Sequence, residues 1–125
     1  MNELNHYLAN IDQAKLEKKL LSGLISQLEK DFNDISVQLD LSNLPDTFYD
    51  ELKSRLMPVV KALMETKPDK FFNLLYRIDI PEVQTKKVLM DDLTIPPAEK
   101  FTEMILEREL KKVVIKYYFA NRSNS

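Results

Sequence analysis

Apolar residues recur at steps of three and four through the first third of the chain. Tyr7, Ile11, Ala14, Leu21, Ile25, Leu28, Phe32, Ile35 and Leu39 form one stripe, with Lys18 in its polar slot. Leu4, Leu8, Leu20 and Leu24 widen that stripe. The spacing places these side chains on one face of an α-helix and predicts a long helix from about Glu3 to about Asn33. Such a face can line the core of a bundle or form a seam with a second copy of the chain. Between Asp34 and Leu44 the period changes to two. Ile35, Val37, Leu39 and Leu41 alternate with Ser36, Gln38 and Asp40, the mark of a half-buried extended segment. No second alternating run of similar length exists to pair with it. The expectation is an extended connector packed on the helices. A short helix extension, or a two-stranded ribbon between two copies, is the alternative.

The rest of the pattern is punctuated by proline. Asn43-Leu44-Pro45-Asp46, Thr66-Lys67-Pro68-Asp69, Asp79-Ile80-Pro81-Glu82 and Thr94-Ile95-Pro96-Pro97 each precede an apolar run at helical spacing. Proline is tolerated in a first helical turn, where its missing N–H would have had no partner. Asn, Asp and Thr are capping residues, and an acid there faces the positive end of the helix dipole. The cap is either that residue or the one directly before proline, which proline pushes out of helical geometry.

Four further helices follow from these marks. One runs from about Pro45 to Thr66, with Leu52, Leu56, Val59, Val60 and Leu63 on one face across Pro58. An interior proline costs ~3 kcal/mol or more, so a kinked helix or two collinear pieces is expected. The next, Pro68 to about Ile78, is apolar on most sides and is expected to be central. Pro81 to about Leu93 is weakly amphipathic and belongs on the surface. Pro97 to about Phe119 carries Phe101, Ile105, Leu110, Val113, Val114 and Tyr117 toward a core. Residues 121–125 read as a polar, frayed tail. The fold class is therefore all-α: one domain over residues 1–125, an irregular bundle of four to five helices with long first and last members.

Composition narrows function mainly by exclusion. The 125 residues suffice for one core without staples. There is no cysteine, hence no disulfide and no thiolate chemistry. Gly23 is the only glycine, which rules out glycine-rich phosphate loops and dinucleotide fingerprints. His6 is the only histidine, too few for a zinc or di-iron site. No serine sits in a nucleophile elbow. No apolar stretch reaches the ~20 residues of a membrane helix, and the first residues do not read as a signal peptide. An all-carboxylate magnesium site at Asp91-Asp92 or Glu103/Glu107 is formally open. Ion pairing of Glu103 and Glu107 with Lys100, Arg108 and Lys111 explains those residues better. No catalytic residue, cofactor or metal ligand is assigned.

Two features remain as candidate surfaces. Around Tyr76-Arg77-Ile78-Asp79-Ile80-Pro81-Glu82, Tyr76 and Arg77 could grip a partner's carboxylate or phosphate. As a purely structural corner, Asp79 would cap the next helix and Arg77 would pair with Asp79, Glu82 or a helix carbonyl. Tyr76 would then pack with its hydroxyl at the edge. Charge is also uneven: Asp31 to Glu51 holds six acids and no base, whereas Arg108 to Ser125 holds five bases and only Glu109. Lys111, Lys112, Lys116 and Arg122, with Tyr118 among them, could meet phosphates and bases of a single-stranded nucleic acid. The helix dipole, which favours cations at a C-terminus, or contact with the acidic segment explains them better.

The Tyr76–Pro81 string, followed by Glu107-Arg108-Glu109-Leu110-Lys111-Lys112-Val113, resembles small uncharacterised all-helical bacterial proteins with a Tyr-Arg-Ile-Asp-x-Pro segment. The resemblance implies a bacterial cytoplasmic origin and no activity. The expectation is a non-enzymatic, cytoplasmic protein-interaction or scaffolding domain. Its partner would be another protein or a second copy of itself, with no membrane contact. The alternative is a small nucleic-acid-associated regulatory protein using the basic-aromatic last helix.

Overall fold

The computed structural model describes residues 18–42, 44, 49–91 and 94–123, with side chains through residue 119. These hold five helices: α1 (Lys18–Asp34), α2 (Tyr49–Thr66), α3 (Pro68–Arg77), α4 (Glu82–Met90) and α5 (Pro97–Ser123). No strand occurs among the described residues. The all-α expectation holds, with long first and last helices. The part of the first predicted helix before Lys18, including His6, lies outside the described residues, as do Pro45, Asp92 and Leu93.

α5 is the spine. It packs against α1, α2 and α4, while α3 lies on α1 and α2. The helical stripes meet there: Leu20, Leu21, Leu24, Leu28 and Phe32 of α1 and Leu52, Leu56, Val60 and Leu63 of α2 are buried. So are Phe101, Ile105, Leu106, Leu110, Val113 and Val114 of α5. Each large apolar side chain removed from water stabilises the fold by roughly 1.5–3 kcal/mol. Phe71 and Phe101 stack edge to face with centroids 5.0 Å apart, joining α3 to α5.

Gly23 has a packing reason that propensity alone does not reveal. A Cβ built there would lie 2.7 Å from Val113 Cγ1. The absent methyl lets α1 and α5 approach at this point. The connector also follows its pattern. Ile35 and Leu41 are buried, Val37 and Leu39 half-buried, and Ser36, Gln38, Asp40 and Ser42 exposed. It is the expected extended segment. Arg55 of α2 donates to the Ser42 carbonyl, and Asp40 accepts from the Ser42 amide and hydroxyl.

The helix ends correct several expectations. Pro68 opens α3 after Lys67, whose side chain makes no cap bond. Thr66 does not cap α3; its hydroxyl donates back to the Ala62 carbonyl at 2.7 Å. Asp79 does not cap α4 either. It sits at φ 66° as the left-handed residue that ends α3. Ile80 N–H reaches Leu75 O at 2.9 Å and Asp79 N–H reaches Tyr76 O at 3.1 Å, the two bonds of a Schellman motif. Ser36 ends α1 in the same way, at φ 63° with Val37 N–H on Phe32 O. Aspartate accepts this conformation better than most side chains. The cap of α4 is Pro81 itself, so that helix starts one residue later than the proline rule predicts. Pro58 does not break α2, which runs through it with its buried face intact on both sides.

α3 differs from expectation, whereas α4 lies on the surface as its weak amphipathicity predicts. α3 is not enclosed: Phe71, Leu74 and Leu75 face the core, but Phe72 and Tyr76 face outward. On α4 only Thr85 and Val88 are buried, leaving Val83, Leu89 and Met90 exposed.

Candidate interaction surfaces

Of those outward residues, Phe72, Tyr76 and Leu89 gather into an apolar groove between α3 and α4. Phe72, Leu75 and Tyr76 line one side, and Thr85, Lys86 and Leu89 the other, with Ile80 and Glu82 at the end. Its volume is about 450 Å³. Phe72 is 45% exposed, Leu89 50% and Tyr76 83%. Phe72 and Tyr76 stand one helical turn apart, and Leu75 supplies the buried floor. The rim charges compensate each other: Lys86 pairs with Glu82 at 3.3 Å.

A second groove, polar and also about 450 Å³, lies among α1, the α3 terminus and α5. Gln27, Lys30 and Asp31 come from α1, Arg77 and Asp79 from the end of α3, and Arg108, Lys112, Ile115 and Lys116 from α5. Arg77 pairs with Asp34 at 2.5 Å and lies 3.9 Å from Asp31, not with Asp79 or Glu82 as the corner reading expected. Arg108 takes the role assigned to Arg77. Its Nε donates to the Ile78 carbonyl at 3.1 Å and its guanidinium pairs with Asp79 at 3.6 Å. Lys116 donates to Gln27 Oε1 at 2.7 Å.

Beneath this groove two acids are buried side by side. Glu109 of α5 is fully buried and Asp31 of α1 nearly so. Counted as an ionised acceptor, Glu109 has both oxygens without a hydrogen bond. Lys112 lies 3.8 Å away, within ion-pair range but too far to donate. Burial, and then the neighbouring Asp31, push the Glu109 carboxyl up to about 9. Protonation resolves one of the two orphaned oxygens, because the neutral acid gains a hydroxyl that donates to Asp31. Burial also opposes the charge on Asp31. The hydrogen bonds from Glu109 and from Gln27 Nε2 (2.9 Å), with Lys112 and Lys30 nearby, outweigh it and hold Asp31 below its usual range. The pair thus carries one proton and one charge.

Among the seven predicted surface residues, Tyr76 belongs to the apolar groove and Arg77, Lys112 and Lys116 to the polar one. Lys111 and Tyr118 line neither; Tyr118 stacks edge to face on Phe119 at 5.5 Å. Arg122 falls within α5, with its side chain outside the described set. Glu103 does not depend on neighbours along its own helix. It shares Lys53 of α2 with Glu99, at 3.0 and 3.3 Å. Sequence reasoning missed Gln27, Asp31 and Glu109. Their signal was positional: Gln27 and Asp31 continue the Leu20–Leu24 row, and Glu109 sits between Leu106 and Val113 at core spacing.

Among the described residues, no group of three or more His, Cys, Asp or Glu could hold a metal ion. Nor is any helix long and apolar enough to cross a membrane. No protein-family model, curated protein or solved structure matches the chain.

Proposed function

We propose that this is a non-enzymatic, cytoplasmic bacterial protein-interaction domain that docks a short amphipathic helix of a partner protein in the α3–α4 groove. The observation that carries the reading is the exposed apolar lining of Phe72, Tyr76 and Leu89 over a buried Leu75 floor. Grooves of this kind take a helix whose apolar side chains recur at i, i+3 or i+4, and i+7. Size argues for a short helix over a second copy. With α3 and α4 each about 15 Å long and together about 20 Å wide, the face offers roughly 300 Å². A stable dimer needs about 800 Å² from each partner. The compensated Glu82–Lys86 rim favours a partner with mixed flanking charge.

The test compares the wild-type chain with Leu89→Lys and Tyr76→Lys. A protein recovered from the source cell is reduced to its helical segment, and that peptide is titrated against each form. Micromolar binding, weakened at least about tenfold by either lysine at an unchanged melting temperature, supports the reading. Equal binding by all three forms sinks it. Light scattering at the mass of one chain, 14.7 kDa, is expected alongside. A mass of twice that, restored to one chain by Leu89→Lys, would make the second copy the occupant instead.

A further inference from the structure

The polar groove has a sign opposite to that of the protein. The chain carries a formal charge of −2. The groove collects Lys30, Arg77, Arg108, Lys112 and Lys116 from three separate elements, against Asp31 and Asp79 alone. Five cations and two anions line about 450 Å³, and with Asp34, paired with Arg77 at the edge, two positive charges remain.

We infer that the groove among α1, the α3 terminus and α5 is a binding site for a compact anion bearing a phosphate group, either free phosphate or a small phosphate monoester. Several cations keep donors to offer. Lys30 is exposed and enters no ion pair among the described residues. Lys116 spends one of its three donors on the uncharged Gln27. Lys112 reaches the Arg77 carbonyl only at 3.5 Å, and the carboxyl within its ion-pair range is Glu109. That acid holds its proton. The nearest ionised acid is then Asp31, whose single charge Lys112 shares with Lys30 and Arg77. Arg108, Lys112 and Lys116 stand at successive four-residue steps along one face of α5, about 12 Å end to end. Arg77 and Lys30 close the ring from the other two helices. Compactness follows from what surrounds the ring. Asp34 and Asp79 stand at its edge, engaged with Arg77 and Arg108. They would repel an extended polyanion running out of the groove. A single dianionic group instead meets charge-assisted donors on several sides.

The experiment is an NMR titration of the full chain with inorganic phosphate at low ionic strength, where such contacts are least screened. Amide shifts that saturate in the millimolar range or below, and cluster at the groove, are expected. Lys30→Gln should weaken binding by about threefold, in line with loss of one exposed charge. Because Lys30 enters no ion pair among the described residues, its loss should move the melting temperature by no more than about 2 °C. Lys112→Gln should weaken binding by about tenfold through a charge-assisted bond, and Lys111→Gln, outside the groove, should not alter it. Tighter binding of a phosphate monoester than of inorganic phosphate would identify the ester as the ligand. Equal binding would identify free phosphate. Shifts that fail to saturate, or equal weakening by Lys111→Gln, overturn the proposal. So does a single-stranded oligonucleotide that binds more tightly than phosphate and depends on Lys111.

Discussion

Replacing Glu109 with glutamine should make the protein more stable at neutral pH. The unfolded carboxyl titrates at 4.5, whereas the folded one holds its proton to about 9. Between those values the folded chain binds one proton that the unfolded chain has lost, so stability falls as pH rises. Below 4.5 both states are protonated and there is no penalty. At pH 7 the two and a half units above 4.5, at 1.36 kcal/mol each, amount to about 3 kcal/mol. Glutamine removes that proton requirement. Its amide can donate to Asp31 as the acid hydroxyl does, but it brings a second N–H into a dry site. Burying that extra donor costs on the order of 1 kcal/mol. The net gain is therefore about 2 kcal/mol, or roughly 6–10 °C in melting temperature. Urea unfolding of both proteins from pH 4 to 9 measures it. The variant should be the less stable by about 1 kcal/mol near pH 4.5, the curves should cross near pH 5, and the variant's advantage should grow steadily above that. Parallel curves, or a Glu109→Gln protein less stable at pH 7, would show that the buried carboxyl is ionised with a partner that this reasoning has missed.

Asp31→Asn should move the Glu109 titration down from about 9, because the neighbouring charge and acceptor are lost while burial remains; side-chain carbonyl NMR reads this directly. Wild-type Asp31 has the opposite sign to Glu109: its contribution is present above 3.8 and is lost as pH falls through its depressed folded value. Gly23→Ala should destabilise by about 1 kcal/mol despite alanine's better helix propensity, because its methyl would meet Val113. A double-mutant cycle with Val113→Ala should return a favourable coupling of at least about 1 kcal/mol, and additive effects would count against the contact. Lys53→Met should cost roughly 1 kcal/mol by breaking its bridge to Glu103 and Glu99. The Glu103 hydrogen bond raises the Lys53 value above 10.5, so the loss should be full below that pH and fade as pH climbs through the raised value.

The frame was legible because burial and periodicity are the same information. Leu20, Leu24 and Leu28 repeat with the helix, and Ile35 and Leu41 bracket an alternating connector. Both patterns survive folding because each decides which atoms leave water. Proline located α3 and α5 closely, since its ring fixes φ wherever it stands. It misled at Asp79, because a left-handed helix end and a helix-capping aspartate look alike in one dimension. The polar groove was half legible. Arg77, Lys112 and Lys116 stood out by charge, but nothing local says that residues 77 and 116 share a wall. Glu109 was concealed by its own chemistry. Glutamate suits an exposed helix, so its place on the core stripe drew no notice beside the surface-like Glu103 and Glu107. The apolar groove was hidden for the opposite reason: Phe72 and Leu89 resemble core residues, and their exposure depends on how shallowly α3 sits on α1 and α2 and α4 on α5.

Tyr76 and Arg77 are consecutive, about 100° apart around the axis of α3. One therefore lines the apolar groove and the other the polar one. The last turn of a ten-residue helix is a party wall between two rooms. Its far end is pinned by the Arg77–Asp34 pair and the Asp79 turn, so it has little freedom to bend toward one room without withdrawing from the other. An occupant that displaces this wall changes the dimensions of the neighbouring space, and linkage makes the effect reciprocal: whatever one occupant does to the affinity of the second, the second does to the first.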